Sequence, residues 1–201
     1  MAASFKEAIE KRRSIYELSN KATLTDNEIE DLLRFAVKNT PSAYNSQSTR
    51  LILLTEDAHA LLWGIVKQTL RERISADAFT RTEQKIDASF ASGHGTVLFF
   101  EDTSIIAEQQ RLYPTYADKF PIWSEHTNAM HQLVVWTMLE DAGMGASLQH
   151  YNPLIDEQVK TVWKLPSEWN LVAEMPFGVP TGQPAPKEFA PLNERVRVFD
   201  K

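Results

Sequence analysis

The sequence contains no cysteine among its 201 residues. Disulfide bonds, thiolate catalysis and cysteine-bound zinc are therefore excluded. Histidine offers no helical zinc motif, because His126 and His131 are five residues apart and no His-Glu-x-x-His sequence occurs. The chain also lacks the Gly-x-Ser-x-Gly elbow of the α/β-hydrolases. These absences argue against metalloprotease and serine hydrolase activity.

Negatively charged residues outnumber positively charged ones. The chain has 21 Lys and Arg residues against 27 Asp and Glu, which gives a formal net charge of −6. A nucleic-acid partner is not expected, because phosphate backbones are bound by a concentrated basic surface. No apolar run is long enough to span a bilayer, and the N-terminal residues lack the apolar core of a signal peptide. The sequence therefore predicts a soluble, cytoplasmic protein without a membrane partner.

The most informative stretch is an apolar helix followed by a polar loop. Residues 127–140 are apolar around most of a helical surface, which is typical of a helix buried in a core or between subunits. Gly143 is placed to end this helix in a left-handed conformation. A short run, Ala146–Leu148, then leads into Gln149–Asn152. Those polar and aromatic side chains either face water or meet a ligand at the edge of the core.

The rest of the chain alternates helices with short strands. Capping boxes at Ser4 and Thr25 predict helices that end near Arg13 and Thr40. Three further helices are predicted at residues 58–73, 81–91 and 156–163. Three strands are predicted at residues 51–54, 96–100 and 171–175. Helices that flank a few short strands predict one α+β or three-layer α/β domain over residues 1–201.

Two proline-containing segments are predicted to lack regular structure. Residues 113–123 combine two prolines with aromatic side chains, and they either line a pocket or cover the apolar helix. The segment from Gly178 onward contains four prolines and is predicted to run extended over the surface.

Three segments carry a resemblance to a known family. Trp123–Met130, Val135–Trp136 and Gly145–Pro153 occur in an order that resembles the nitroreductase family of FMN-dependent flavoproteins. More narrowly, the chain is similar to the subfamily of yeast fatty-acid-repression nitroreductases and their bacterial counterparts. The similarity runs from about Lys11 to the C-terminus. It implies a nitroreductase-like fold with a mostly antiparallel central sheet flanked by helices, in a homodimer.

A basic cluster lies at the predicted end of the first helix. Arg12, Arg13 and Ser14 together are able to hold a phosphate, although the same residues suit a solvated helix C-terminus. The resemblance favours the phosphate, because the family has an Arg-x-Ser unit here that holds the flavin phosphate and ring edge. Tyr16 departs from the family pattern, which usually carries a basic residue at this position near the pyrimidine end of the flavin.

The polar segment Pro41–Ser48 is the second candidate. Asn45 and Gln47 carry amide side chains, which both donate and accept hydrogen bonds and so suit an isoalloxazine edge. A plain solvent-exposed loop has the same composition. The family pattern is similar to Pro-Ser-x-x-Asn-x-Gln, and Pro41, Ser42, Asn45 and Gln47 match it. In the family this loop reaches the flavin of the other subunit, so the resemblance implies two flavin sites at a homodimer interface.

The loop after the apolar helix is the third candidate. Leu148, Gln149, His150 and Tyr151 match the family loop that passes the N5 side of the flavin. A backbone N–H in this loop typically bonds N5 and tunes hydride acceptance. His150 is a weaker candidate for a general acid, because flavin hydride transfer requires no acid from the protein. No catalytic side chain and no metal ligand are therefore predicted.

The C-terminal segment supplies the last candidates. Lys187 matches a family lysine near the flavin phosphate. The arginine expected two positions later is Phe189 here, and Arg195 or Arg197 is the candidate to replace it. The same basic residues are equally typical of surface charges on a C-terminal strand.

The resemblance implies an FMN-dependent oxidoreductase. It would take a hydride from NADH or NADPH and reduce a nitroaromatic or quinone-type acceptor in a ping-pong cycle. The alternative is a flavin-binding regulatory protein, linked to lipid or stress signalling, whose turnover is incidental. A third hypothesis is a flavin-free ligand-binding domain, in which the departures at Tyr16 and Phe189 abolish cofactor binding. The physiological acceptor and the choice between NADH and NADPH are not encoded in these patterns.

Overall fold

The apolar run Thr96–Phe100 lies in a central strand of an antiparallel sheet. The computed structural model describes residues 4–200. Its four strands are β1 (Thr49–Thr55), β2 (Gly95–Asp102), β3 (Gly145–Ala146) and β4 (Trp169–Gly178). They are arranged in the order β1-β2-β4-β3, and each neighbouring pair is antiparallel. Every residue of β2 is buried, because helices cover both faces of the sheet.

The described residues form eight α-helices. They are α1 (Phe5–Lys11), α2 (Asp26–Asn39), α3 (Glu56–Arg71), α4 (Ala76–Ser89), α5 (Thr103–Leu112), α6 (Phe120–Asp141), α7 (Asp156–Trp163) and α8 (Leu192–Arg195). Both predicted capping boxes are present: the side chains of Ser4 and Thr25 accept the N–H groups of Glu7 and Glu28, whose carboxylates accept in return.

The sheet separates two apolar layers. Val97 and Phe99 of β2 face α2 and α6, whereas Leu98 and Phe100 face α3, α4 and α7. The alternation follows from the two-residue period of a strand. The predicted α+β architecture, with three layers and an antiparallel central sheet, is confirmed.

Helix α6 is longer than the sequence predicted. It begins at Phe120 rather than near residue 127, so the prediction of irregular structure was wrong for residues 120–123. Pro121 lies in the first turn, where its missing N–H leaves no hydrogen bond unmade. Gly143 has φ +80° after the helix, which confirms the predicted left-handed stop. In the single chain Met130 and Leu133 are 39% and 46% exposed, so α6 is not covered on every side.

Residues 179–200 form no further strand and are mostly exposed, in agreement with the prediction of an irregular surface segment. The exception is the single turn of α8, which the proline content did not indicate. Its apolar side chains stay exposed, and Val198 and Phe199 are more than 80% accessible. No helix within residues 4–200 is both long and apolar enough to cross a membrane.

Candidate functional site

Three of the predicted phosphate-binding residues line one surface cavity. Arg13, Ser14 and Lys187 border a space of about 540 Å³ between the end of α1 and residues 182–188 of the C-terminal segment. The two walls are joined because Arg13 Nη2 donates a hydrogen bond of 2.8 Å to the carbonyl of Ala185. The structure therefore brings together residues that are 173 positions apart in the chain, from Ser14 to Lys187.

The backbone next to Ser14 is fixed by β3. Ile15 N–H donates to the Ala146 carbonyl at 2.9 Å, and Ser14 forms a parallel bridge with Ala146. This approach requires Gly145, since a Cβ there would lie 2.8 Å from the Cβ of Ile15. Ser14 is thus held beside the strand that leads into the Gln149–Tyr151 loop.

Arg12 points away from this cavity. Its guanidinium carbon lies 4.4 Å from the centre of the Trp136 ring on α6. Burial lowers the pKa of Arg12, the charge of Arg13 lowers it further, and Glu140 acts in the opposite direction. Its buried Nε has no hydrogen-bond partner among residues 4–200. The structure therefore brings Arg13 and Ser14 to the cavity, but not Arg12.

The donor groups in the cavity fit a phosphate. Arg13 and Lys187 provide positive charge and N–H donors, and Ser14 adds a hydroxyl. Glu17 and Glu188 also line the cavity and partly offset that charge. Tyr16 borders the same space as a neutral ring.

The basic position that the family pattern expects at residue 189 is occupied by an aromatic ring. The ammonium group of Lys187 lies 5.3 Å from the centre of the Phe189 ring, so Phe189 contacts the lysine through a cation–π interaction. Arg195 lies in α8, Arg197 follows it, and neither is among the residues that line the cavity. Neither Arg195 nor Arg197 therefore replaces, at this cavity, the arginine that the family pattern has at position 189.

The Gln149–Tyr151 loop is bonded to β4. Gln149 N–H donates to the Glu174 carbonyl at 2.7 Å, and Tyr151 N–H donates to Glu174 Oε2 at 3.0 Å. Leu148 packs against the core, whereas His150 is exposed. The loop is therefore held by its main chain, and its His150 side chain is left to face solvent.

An aromatic cluster lies between this loop and the cavity that contains Arg13. The Tyr151 ring lies 5.9 Å from Trp63 and 6.5 Å from Phe90, and Phe90 lies 6.0 Å from Tyr16. Burial raises the pKa of Tyr151 to about 12, so its hydroxyl stays protonated in any ordinary buffer. A chain of packed rings therefore runs from Tyr151 through Phe90 to Tyr16 at the edge of the cavity.

The Pro41–Ser48 loop lies at a different cavity. Tyr44, Asn45 and Gln47 all have positive φ, between 52° and 55°, which is uncommon for residues other than glycine. Ser42 helps to hold this turn, because its Oγ accepts the N–H of Gln47 at 3.0 Å. Ser42 and Gln47 border a groove of about 800 Å³ between α2 and β1, and Asn45 is exposed. Within one chain the amide side chains do not meet the cavity that contains Arg13.

Comparison with known protein families identifies the family of this chain. The model of the nitroreductase family matches residues 9–179. The chain belongs to the nitroreductase family. The resemblance drawn from the three sequence segments is confirmed.

Individual nitroreductases match over nearly the whole chain. The nitroreductase FRM2 of Saccharomyces cerevisiae is 32% identical over 198 residues, which cover 98% of this chain and 97% of the relative. The structure of the nitroreductase CinD of Lactococcus lactis with chloramphenicol superimposes with a TM-score of 0.89 at 37% identity. The complex of CinD with 4-nitrophenol gives 0.88 at 38% identity, and both cover 98% of this chain and 100% of that one.

Two residues of this nitroreductase were missed by sequence reasoning. Glu174 accepts a loop N–H although it lies in a fully buried stretch of β4. Glu101 accepts hydrogen bonds from Ser48 and Thr49, which follow the strained turn. Each had a signal in the sequence: Glu174 lies among apolar residues of its strand, and Glu101 directly follows the apolar run Thr96–Phe100, so each carboxylate needs buried partners.

Proposed function

We propose that this nitroreductase-family chain is an FMN-dependent oxidoreductase that uses NADH or NADPH to reduce nitroaromatic or quinone-type acceptors. The observation that carries the proposal is the cavity in which Arg13, Ser14 and Lys187 converge beside the aromatic cluster and the Gln149–Tyr151 loop. The ligands of the related protein CinD, chloramphenicol and 4-nitrophenol, support an acceptor of the nitroaromatic class.

In this proposal the protein binds and orients. Arg13, Lys187 and the Ser14 hydroxyl hold the FMN phosphate. A backbone N–H of the Gln149–Tyr151 loop faces the flavin N5, and the exposed side chain of His150 is the weaker candidate for a general acid towards the acceptor. Bound FMN would supply the chemistry by accepting a hydride from the nicotinamide and passing it to the acceptor in a second half-reaction.

We also propose that two such chains form a homodimer in which Asn45 and Gln47 reach the flavin held by the partner. Three features support this arrangement. Both amides are exposed and lie outside the phosphate cavity of their own chain. The apolar side chains of Met130 and Leu133 are exposed on α6, and β1 is an edge strand. We further propose that residues 1–201 form one flavin-binding domain and that the protein is cytoplasmic.

Steady-state turnover distinguishes the enzyme from the regulatory alternative. We expect NADH or NADPH oxidation to depend on the concentration of 4-nitrophenol, chloramphenicol or a quinone, with the parallel double-reciprocal lines of a ping-pong cycle. A regulatory flavoprotein would bind FMN and accept electrons but would show negligible acceptor-dependent turnover. Intersecting lines would contradict the shared, successively occupied site.

A further inference from the structure

The Gln149–Tyr151 loop is fastened to β4 at a single residue. Glu174 exchanges two main-chain hydrogen bonds with Gln149, of 2.7 and 3.0 Å. Its side chain adds a third, because Oε2 accepts the N–H of Tyr151 at 3.0 Å. The carboxyl group therefore holds the part of the loop that the proposed function puts beside the flavin.

The Glu174 side chain lies in an apolar and incompletely paired environment. It is fully buried, and it lies opposite Leu98 of β2 on the sheet face that packs against α3 and α7. Its second oxygen, Oε1, has no hydrogen-bond partner within residues 4–200, and the same holds for Oδ1 of Asn152 and Oδ1 of Asp156. A carboxylate with an unpaired buried oxygen is costly, whereas a neutral carboxyl group carries its own O–H donor.

The charge state of Glu174 follows from these surroundings. Burial raises its pKa to about 8, with a further contribution from the charge of Asp156 that the Tyr151 N–H partly offsets. Asp156 of α7 and Tyr151 of the loop are the titratable groups that interact with it, and Leu98 of β2 is apolar. Tyr151 is neutral at neutral pH because its pKa is about 12, and Asp156, whose own pKa is raised by burial, is the acidic neighbour.

We propose that Glu174 is a positioning residue whose protonated carboxyl group holds the Gln149–Tyr151 loop closed, and that loss of this proton favours an open loop. The closed loop is the conformation that presents its backbone to the flavin, and in this respect the inference rests on the proposed function. Burial chiefly sets the pH at which the proton is lost, and the charge of Asp156 raises it further.

The direction of the pH dependence follows from proton linkage. When the loop opens, Glu174 meets water and its pKa returns towards the ordinary value of 4.5. The closed form therefore binds more protons than the open form between pH 4.5 and about 8. In that window rising pH favours opening by about tenfold per pH unit, and the dependence ends above pH 8, where both forms are ionised.

Hydrogen exchange at the Tyr151 amide tests this directly in the full chain. After correction for the intrinsic exchange rate, its protection is expected to fall about tenfold per unit from pH 5 and to level off near pH 8. Glu174→Gln keeps the acceptor but does not titrate, so its protection is expected to be independent of pH. Asp156→Asn removes a charge that adds to the effect of burial on the Glu174 pKa, so levelling off is expected at somewhat lower pH.

Two further variants provide a control and a direct test of the Glu174 acceptor. Glu125→Gln is the matched control, because burial also raises the pKa of Glu125, which lines the cavity beside His150 and Asn152 but is not bonded to the loop. It should keep the wild-type profile. Glu174→Leu removes the acceptor and is expected to lose Tyr151 protection at every pH. The proposal is overturned if Glu174→Gln follows the wild-type profile, or if the leucine variant stays protected.

Addition of FMN separates this inference from the proposed function. A ligand that binds only the closed loop raises Tyr151 protection by a factor of one plus the ratio of free ligand concentration to Kd. We expect that increase in both the wild type and Glu174→Gln, and bound FMN without it would overturn the link between loop and flavin. A chain that binds no FMN would contradict the proposed function, while the pH profile without FMN would still decide the role of Glu174.

Discussion

The double variant Arg13→Ala/Lys187→Ala is expected to raise the dissociation constant of FMN at least about a hundredfold. Each residue lines the cavity that we assign to the phosphate, from opposite walls. A charge-assisted hydrogen bond to phosphate contributes about 1.5–3 kcal/mol, so two lost bonds correspond to a factor of about 10² or more. Flavin fluorescence quenching in a titration with FMN measures the constant directly.

A matched control separates the site from the overall charge. Lys67→Ala/Arg71→Ala removes one lysine and one arginine that pair with Asp87 and Glu83 on the surface of α3 and α4. This control is expected to change the dissociation constant by less than about threefold, because exposed charges act weakly through water. Equal losses in the two double variants would refute the phosphate assignment. Among the neighbouring arginines, we expect Arg13→Ala to weaken FMN binding more than Arg12→Ala, because only Arg13 lines the cavity.

Glu101→Ala is expected to lower the free energy of unfolding by about 4 kcal/mol. Glu101 is 2% exposed and accepts hydrogen bonds from Ser48 at 2.5 Å, Thr49 at 2.6 Å and Asn128 at 2.9 Å. Its removal leaves three buried donors without their acceptor and opens a space between β1, β2 and α6. The positive-φ turn at Tyr44–Gln47 loses its anchor at the same time, because Ser48 and Thr49 directly follow it.

Denaturant unfolding of three variants tests this role. Glu30→Ala is the control, because Glu30 pairs with Arg34 on the exposed surface of α2, and a change of at most about 1 kcal/mol is expected. Glu101→Gln retains an acceptor oxygen and should fall between the two. If Glu101→Ala is as stable as Glu30→Ala, the buried network is not what secures the 41–48 loop.

Local chemistry accounts for the elements that the sequence predicted well. The capping boxes at Ser4 and Thr25 satisfy helix N–H groups within four residues, and Gly143 ends α6 through its own φ. The run Thr96–Phe100 could only be covered on both faces, since it has no polar side to leave in water. Each of these signals depends on neighbours in the chain and not on tertiary contacts.

Elements without such a local signal were missed or misplaced. Helix α5 buries none of its residues fully, and its N-cap is Asp102, which is also the last residue of a strand. The first turn of α6 contains Pro121, which is tolerated at a helix start but suggests irregular structure when the start is unknown. Propensity alone does not separate these two roles of proline.

The candidate site depends on contacts between distant segments. No periodicity joins Ser14 to Lys187, and only the family resemblance placed both near one phosphate. The same resemblance favoured Arg12, whereas packing over Trp136 turns this arginine aside and leaves Arg13 in the cavity. Glu174 escaped notice because its importance comes from a hydrogen bond to Tyr151, 23 residues away in the chain.

The visible absorption spectrum of the purified protein, recorded anaerobically with FMN before and after addition of NADH or NADPH, tests whether this chain is a flavin-dependent reductase. We predict the absorption bands of oxidised flavin, bleaching on addition of the reduced nicotinamide, and recovery of the bands when 4-nitrophenol or a quinone is added. A protein that stays colourless after incubation with FMN, or whose flavin spectrum is unchanged by both nicotinamides, would contradict the account.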